Sequence, residues 1–595
     1  MKRKELRLSA EYGGIFMLRL ARYLKNYKKE SIIGPLFKML EAFFELLVPL
    51  VVADMIDNGI AKGDKTYIYR AAFIMVLLGV VGLVCSLIAQ FFAAKASVGF
   101  GTELRDDLFA HMNKLSYAEL DEAGTSTLVT RITSDMNQVQ SGVNMILRLF
   151  LRSPFIVIGA LVAAFLVNAK VAVIFVIAAP ILAFIIYGIM VLTIPMYSKA
   201  QKALDTISLA TREGLNGARV IRAFGRQADE TEEFTEDCNR LLKLQKRVGK
   251  VSAAMNPLTY VVVNLAIAAI IMQGGKQVDA GVITQGEVIA LVNYMTQILN
   301  ALVALQVLIV SFTKAMASAK RVNEVLDLQP TVLDQDSFSL KNVSGDDVPA
   351  VVFDNVCFTY PGAKEEALTN LTFTVKKGQT VGIIGGTGSG KSSLVNLLPR
   401  FYDVTKGTVL INGVDVKEYP QRELRSRIGV VPQKAVLFSG SIRDNMKWGK
   451  DDATDEEINE ALEIAQAKEF VDAKEGRLDY KLNQGGKNLS GGQRQRLTIA
   501  RALVRKPEIL ILDDSASALD FATDAALRRA LAERTKGMTV FMVSQRTTTI
   551  QNADLIIVLE DGEVTGIGTH KELQETCEVY KEICQSQVSA EEVGA

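Results

Sequence analysis

The sequence predicts two fused parts: an all-α part built from membrane-spanning helices, followed by an α/β part. Three observations predict this fold class. With 595 residues, the chain is too long for a single hydrophobic core. Its long apolar stretches are concentrated before about residue 320. From Val351 onward, short apolar runs alternate with helix-like segments, which is typical of an α/β domain.

The first part contains six apolar stretches, each long enough to cross a bilayer, which takes about 20 residues. We therefore expect a transmembrane domain over residues 31–320. An even number of spans returns the chain to the side of the membrane on which it started. The predicted spans are about 32–55, 70–96, 143–167, 171–195, 252–273 and 287–315.

The segment 1–30 combines basic side chains, among them Lys2, Arg3 and Lys4, with interspersed apolar ones. This pattern predicts an amphipathic helix on the inner face of the membrane and places the N-terminus in the cytoplasm. For the first ten residues a disordered basic tail is the alternative.

The connections between the spans alternate in length. Those after the second and fourth spans are long, polar and helix-like, and we expect them to extend into the cytoplasm as helices. The alternative, six core helices of a soluble protein, is disfavoured because Val171–Pro195 is an almost unbroken apolar run.

Four charged side chains fall inside the predicted spans. Glu41 and Glu45 lie one helical turn apart in the first span, and Arg148 and Arg152 do the same in the third. Charges inside a membrane usually face a cavity or a partner. The sequence leaves open a polar translocation pathway, Glu–Arg pairing within the bundle, or a position at the membrane interface.

After the membrane part, we expect a polar linker over 321–349, an α/β domain over 350–585 and a tail over 586–595. The net charge of +1 gives no indication of a nucleic-acid partner.

The α/β part contains a phosphate loop between a strand-like run, Thr380–Ile384, and a helix-like run. Its glycines let successive backbone amides point at phosphate, to which the next helix adds its positive end. The Lys391 ammonium would reach the β- and γ-phosphates, and the Ser392 hydroxyl would hold Mg²⁺. The loop residues expected to bind nucleotide are Gly385, Gly386, Thr387, Gly388, Ser389, Gly390, Lys391, Ser392 and Ser393.

Two further motifs accompany this loop. The run Glu508–Asp513 predicts a buried parallel strand that ends in a carboxylate, and Asp513 would bind Mg²⁺ through water. The run Leu489–Gln493 opens a second helix and offers another set of phosphate donors. Because the chain already has one phosphate loop, we expect the second set to serve the nucleotide of another subunit.

Together these motifs resemble the ATP-binding cassette (ABC) transporters, and within them the exporter-type half-transporters with six spans and one nucleotide-binding domain. Tyr360 falls at the family's adenine-stacking position, and Gln433 at its Q-loop, a Mg²⁺ ligand. The segment Ser517–Asp520 resembles the D-loop, and Gly217–Phe224 resembles the second coupling region.

The resemblance implies two nucleotide domains that close head to tail around ATP and Mg²⁺ and drive export of an amphipathic drug, lipid or peptide. Each ATP would lie between the phosphate loop of one chain and the LSGGQ motif of the other. The residues that would serve the partner's ATP are Leu489, Ser490, Gly491, Gly492, Gln493 and Asp520.

Two catalytic positions depart from the family pattern. Asp514 stands where a glutamate polarises the attacking water, and Gln545 stands where a switch histidine senses the γ-phosphate. A site with both changes binds ATP but hydrolyses it slowly, whereas LSGGQ is intact. We therefore expect one subunit of a heterodimeric multidrug-type exporter, with a slow homodimer as the alternative.

Other functions compatible with the sequence are a nucleotide-gated regulatory or channel-like protein and an importer on the exporter-type fold. The expected location is a bacterial plasma membrane, with the nucleotide domain in the cytoplasm.

Overall fold

The structure is a computed structural model that describes residues 16–334, 348–515 and 517–593, with side chains described as far as Gln587. It divides the chain into two compact units. The first comprises Met1–Asn113 and Thr125–Asp327, and the second comprises Lys114–Gly124 and Leu328–Ala595. The first half of the predicted amphipathic segment 1–30 lies outside the described residues.

Up to the linker, every regular element in the described part of the chain is helical. A 3₁₀ turn at Ala21–Tyr27 precedes the first long helix, and π-helical turns lie at Met55–Ile60 and Arg131–Asp135. The α-helices are α1 (Lys28–Asp54), α2 (Lys65–Met112), α3 (Tyr117–Ala123), α4 (Thr125–Thr130), α5 (Met136–Leu149), α6 (Arg152–Val167), α7 (Ala169–Asn216), α8 (Ala218–Ala223), α9 (Gln227–Ala253), α10 (Met255–Asp279) and α11 (Gln285–Leu326).

Five helical segments in the described part of the chain are long and apolar enough to cross a membrane. They contain the second to sixth predicted spans and run over Lys65–Met112, Thr125–Val167, Ala169–Asn216, Gln227–Asp279 and Gln285–Leu326. Helix α1 covers the first predicted span but carries three charged side chains within it, Lys38, Glu41 and Glu45. Six spans therefore remain a prediction.

The long helices continue well past the predicted spans. Helices α2 and α7 each have 48 residues, so each is about 72 Å long at 1.5 Å per residue. This is more than twice the ~30 Å thickness of a hydrocarbon core. Each helix thus includes a long extension, as the polar, helix-like connections predicted.

Helix α11 forms the centre of the first unit, where it packs against α1, α5 and α6. Tyr294 and Ile298 on α11 are fully buried, and the Tyr294 hydroxyl donates a 2.8 Å hydrogen bond to the Leu46 carbonyl of α1. The helix continues to Leu326 because Val322 and Val325 are also buried. The predicted linker start at residue 321 is therefore wrong.

The second unit contains two main sheets in the residues that the structure describes. A four-stranded antiparallel sheet has the order β2-β1-β4-β5, and a six-stranded sheet has the order β12-β11-β3-β10-β9-β6. The strands are β1 (Val351–Phe358), β2 (Leu368–Val375), β3 (Thr380–Gly385), β4 (Lys406–Ile411), β5 (Val414–Asp415), β6 (Ile428–Val431), β7 (Gly440–Ser441), β8 (Lys481–Leu482), β9 (Ile509–Asp513), β10 (Thr539–Val543), β11 (Leu555–Glu560) and β12 (Glu563–Gly568).

The six-stranded sheet is parallel except at its β12 edge. Its central strands are mostly apolar, as expected for a parallel sheet that is covered on both faces. The helices of this unit after the linker are α12 (Lys391–Leu397), α13 (Gln421–Arg427), α14 (Ile442–Lys447), α15 (Asp455–Ile464), α16 (Lys468–Asp472), α17 (Gly491–Leu503), α18 (Phe521–Arg534), α19 (Thr547–Ile550), α20 (His570–Thr576) and α21 (Glu578–Val593).

The architecture confirms the predicted fold class of a helical part followed by an α/β part. One boundary near the C-terminus differs. Helix α21 continues to Val593, so the tail predicted from residue 586 is helical over most of its length. The sequence 578–593 is largely made of residues with good helix propensity, which accounts for the continuation.

Candidate nucleotide-binding site

The candidate site lies where four neighbouring parallel strands end. The phosphate loop follows β3, and Asp513 is the last residue of β9. Gln433 comes just after β6, and Gln545 just after β10. Parallel strands deliver their carboxyl ends to one edge of a sheet, where ligands usually bind. Sequence positions more than 150 residues apart are therefore brought to one place.

These residues line a pocket of about 560 Å³. Of the predicted nucleotide-binding residues, those that line it are Tyr360, Thr387, Gly388, Gly390, Lys391, Ser392 and Ser393. Gln433, Asp513, Asp514 and Gln545 line it as well. Gly385, Gly386 and Ser389 are not among its lining residues and instead accept hydrogen bonds from the Lys391 ammonium.

The phosphate loop requires glycine at Gly390. Its φ is +93°, and a Cβ there would lie 2.9 Å from the Ala367 carbonyl oxygen. The Lys391 ammonium donates hydrogen bonds to the carbonyls of Gly385 (3.0 Å) and Gly386 (2.6 Å) and to the Ser389 hydroxyl (3.3 Å). Burial lowers the pKa of Lys391. A phosphate at this position would supply the negative charge that the buried ammonium needs.

Ser392 and Asp513 meet at the base of the pocket. The Ser392 hydroxyl donates a 3.0 Å hydrogen bond to the Asp513 carboxylate. Burial raises the pKa of Asp513, an effect that Asp514 enhances. Hydroxyl, carboxylate and the nearby Gln433 amide form an oxygen-rich donor set, which suits Mg²⁺. The residues present therefore fit the metal that the phosphate loop implies.

Asp514 and Gln545 sit in the same pocket as the phosphate loop. Asp514 has a φ of +43°, and its carboxylate accepts a 3.1 Å hydrogen bond from the Gln433 amide. The Gln545 carbonyl is hydrogen-bonded, whereas its side-chain amide bonds to none of the described residues. Both side chains are thus positioned to act on a ligand in the pocket.

Tyr360 is an aromatic residue in the lining of the pocket. The Tyr360 hydroxyl lies 2.9 Å from the Ser393 hydroxyl. Its ring packs edge-on against Phe358 and Tyr402, at centroid distances of 4.7 and 5.3 Å. A fixed aromatic ring of this kind can stack against a nucleobase.

Comparison with known proteins identifies both parts of the chain. Residues 31–302 match the family model of the ABC transporter transmembrane region, and residues 368–517 match that of the ABC transporter. The uncharacterized ABC transporter ATP-binding protein YfiB of Bacillus subtilis is 36% identical over 97% of this chain and 99% of its own length.

This chain belongs to the ABC transporter family.

Two more distant relatives agree with this assignment. The ATP-dependent lipid A-core flippase of Haemophilus ducreyi is 30% identical over 96% of this chain and 98% of its own length. The solved structure of a bacterial Atm1-family ABC exporter with ATP bound matches with a TM-score of 0.79. It covers 94% of this chain and 99% of its own, at 24% identity. The chain thus has the fold of an exporter-type ABC half-transporter.

The LSGGQ motif of this ABC transporter forms the start of α17 and does not line the pocket described above. The Ser490 hydroxyl accepts a hydrogen bond from the Gln493 amide, and the Gln493 side chain accepts one from the Ser490 amide. This capping box fixes the first turn of the helix. Asp520, in the D-loop, caps α18 through the Thr523 amide at 2.8 Å. These residues form a separate surface of the same unit.

In the membrane part, the four charged side chains of the predicted spans have different partners. Arg152 forms a 2.7 Å salt bridge with Glu45. Glu41 pairs instead with Lys38, at 2.6 Å, a lysine that the sequence analysis did not single out. Arg148 has no ion-pair partner among the described residues, and its Nε is buried without a hydrogen bond. Pairing within the bundle therefore accounts for both glutamates but only one arginine.

One element of this unit was not predicted from the sequence. Helix α3 lies in the long connection after the second span but belongs to the same compact unit as the nucleotide-binding fold. Its Tyr117 ring packs 4.4 Å from Phe401, and Asp121 accepts a 2.8 Å hydrogen bond from the Tyr402 hydroxyl. The signal available in the sequence is the capping box at Ser116–Glu119, which marks a new helix within the connection.

The predicted second coupling region forms the short helix α8 in the first unit. Its apolar side chains are largely exposed in the single chain, Val220 to 60% and Phe224 to 78%.

Proposed function

We propose that this ABC transporter is one subunit of a heterodimeric, ATP-driven exporter of amphipathic compounds in a bacterial plasma membrane. Its own phosphate loop forms a site that binds ATP and hydrolyses it slowly. Its LSGGQ motif completes a competent site on a partner half-transporter.

The observation that carries the proposal is that Asp514 and Gln545 line the phosphate-loop pocket together. An aspartate is one methylene shorter than a glutamate, so its carboxylate is withdrawn by roughly 1 Å, a displacement that can cost about 10²-fold in rate. A glutamine donates a hydrogen bond to a γ-phosphate but carries no positive charge. Both changes weaken hydrolysis more than they weaken binding.

The LSGGQ surface supports the second half of the proposal. Its capping box is complete, so the amides at the start of α17 are held in place to donate to phosphate. Because this surface does not line the chain's own pocket, its ligand comes from a second chain. The exposed apolar side chains of α8 are a further surface that a partner would cover.

The name of one relative supports the proposed substrate class. The name of the Haemophilus ducreyi relative describes a flippase for a lipid, which is amphipathic. Inside-out vesicles that contain the assembled pair should take up an amphipathic probe when ATP is added. Movement in the opposite direction would identify an importer, and passive flux on ATP binding would identify a channel.

The first test is the ATPase activity of the chain purified alone. We expect turnover far below the roughly 1–10³ s⁻¹ of ordinary enzymes, with retained ATP binding. Addition of a partner whose own catalytic glutamate and histidine are present should restore turnover. Ordinary turnover by the chain alone would contradict the proposal.

The second test restores the two missing groups. In the assembled pair, Asp514→Glu combined with Gln545→His should raise hydrolysis at this site by roughly 10- to 100-fold. Site-resolved trapping of ADP would measure it. As a matched control, Asp403→Glu makes the same aspartate-to-glutamate change outside the pocket and should leave turnover at this site unchanged. Unchanged trapping in the double variant would show that other residues limit the site.

A further inference from the structure

Gln587, on the C-terminal helix α21, binds the loop that carries Gln545. Its side-chain Nε2 donates a 2.7 Å hydrogen bond to the Gln545 carbonyl. Its Oε1 accepts hydrogen bonds from the Thr547 amide and the Thr547 hydroxyl, both at 2.9 Å. One amide side chain therefore holds the backbone on both sides of Arg546.

The loop needs an external partner because the helix that follows it is weakly capped. Helix α19 has only four residues, and its N-cap residue, Arg546, makes no capping hydrogen bond through its side chain. The first amides of a helix have no acceptor within the helix itself. Gln587 supplies the acceptor for the first of them, and Ser544 accepts from the Arg546 amide at 2.9 Å.

Helix α21 is itself anchored to the core of the unit. Tyr580 is fully buried, and its hydroxyl lies 2.7 Å from Nδ1 of His570. Gln587 lies seven residues further along the helix, about 10 Å at 1.5 Å per residue. A rigid helix thus places the Gln587 amide at a fixed distance from the core.

The carbonyl and the side-chain amide of Gln545 have different surroundings. Its carbonyl is held by Gln587, while its side-chain amide lines the pocket and bonds to none of the described residues. A donor on a fixed backbone pays little entropy when it binds a ligand. The position of the Gln545 side-chain amide therefore depends on how its backbone is held.

We infer that Gln587 is a positioning residue for the nucleotide site, and that the C-terminal helix acts through it to hold Gln545 against the γ-phosphate. This inference rests on the proposed role of Gln545 at the γ-phosphate. It predicts that Gln587 affects binding of ATP, which has that phosphate, and not of ADP, which lacks it.

The test compares Mg²⁺-ATP and Mg²⁺-ADP affinities of the full-length chain in detergent by calorimetry. Gln587→Ala should weaken ATP binding by roughly three- to tenfold, the effect of losing about one hydrogen bond, and change ADP binding by less than twofold. The control is Ser586→Ala on the same helix, because Ser586 is exposed and, among the described residues, bonds only to the Ile583 carbonyl. This control should change neither affinity.

Two more variants separate the possible outcomes. Gln587→Glu keeps the acceptor for Thr547 but loses the donor to the Gln545 carbonyl, so it should also weaken ATP selectively. In a chain that already carries Gln545→Ala, Gln587→Ala should not weaken ATP binding further. Both substitutions act through the contact between the Gln545 side chain and the γ-phosphate, which Gln545→Ala has already removed.

If Gln545→Ala does not change the ratio of the two affinities, the proposed γ-phosphate role of Gln545 is wrong. If Gln545→Ala is selective for ATP but Gln587→Ala is not, the positioning role of Gln587 is wrong. Equal weakening of both nucleotides, together with a lower melting temperature, would show that Gln587 only supports the fold and would also overturn the inference.

Discussion

Lys391 and Asp513 line the same pocket. Burial shifts the pKa of each side chain in the direction that favours its neutral form. The pKa of Lys391 is lowered and that of Asp513 is raised, because both charges are partly removed from water. A phosphate bound to Lys391 and Mg²⁺ bound to Asp513 would favour the charged forms again. Ligand binding and protonation are therefore linked at this site.

The linkage predicts that Mg²⁺-ATP binds more weakly as the pH falls. The carboxyl of Asp513 takes up a proton at a higher pH than an ordinary aspartate, and Mg²⁺ must displace that proton. Calorimetry at acidic pH in buffers of different ionisation enthalpy should detect proton release on binding. Asp513→Asn should remove this release, and a variant that still releases the same number of protons would contradict the assignment.

The Glu45–Arg152 pair permits a test of why charges are present in the membrane part. Glu45→Gln leaves the Arg152 guanidinium without its carboxylate. Because Glu45 is partly exposed, we expect a loss of about 1–2 kcal/mol in the free energy of unfolding rather than the ~3–5 kcal/mol of a fully buried pair. Thermal unfolding in detergent would measure it.

The double variant Glu45→Gln with Arg152→Gln should recover part of that stability, since no charge is then left unpaired. If both variants unfold like the wild type but transport differs, the pair lines the translocation pathway instead of supporting the bundle.

At the scale of elements, helix α3 is the segment whose position was least expected. It has seven residues, too few for a stable isolated helix, and it is held by packing against Phe401 and Tyr402. The linker also contacts this segment. The Thr331 amide donates a hydrogen bond to the Glu119 side chain, and the Val332 amide donates one to the Ser116 side chain. We therefore expect α3 and the residues that it contacts to move together.

We therefore predict that Tyr117→Ala lowers transport by the assembled pair by roughly tenfold and leaves nucleotide affinity within twofold. A tenfold loss corresponds to about 1.4 kcal/mol, which lies within the range of one aromatic contact. Vesicle uptake and calorimetry would measure the two quantities. Glu122→Ala, an exposed position on the same helix, is the control. A parallel fall in nucleotide affinity would show that α3 supports the nucleotide pocket instead.

The elements that the sequence predicted well are those whose signal is local. The phosphate loop and the strand ending at Asp513 are contiguous motifs, and both occupy the expected places in the sheet. The contacts that were missed join residues far apart in sequence. Tyr402 is 281 residues from Asp121, and Gln587 is 42 residues from Gln545. No periodicity or spacing in a single sequence indicates such pairs.

Boundaries were also predicted less well, for a physical reason. Helix α11 passes the predicted linker start because its last turns are buried by packing. Polar composition near residue 320 suggested a linker, but tertiary packing decides where a helix ends.

For the whole molecule, the two parts of the chain are not two consecutive stretches. The compact unit that carries the candidate nucleotide site is assembled from Lys114–Gly124 and Leu328–Ala595, with Thr125–Asp327 of the membrane part inserted between them. The membrane part in turn is interrupted by an eleven-residue excursion into the other unit. A domain map drawn along the sequence therefore misassigns α3.

This interleaving matters to anyone who recombines half-transporters. A chimera that exchanges the segment after residue 350 alone would graft a foreign surface onto the native residues 114–124 and 328–334. The smallest piece that can be transplanted without a mismatch is discontinuous, and natural recombination between such genes would meet the same constraint.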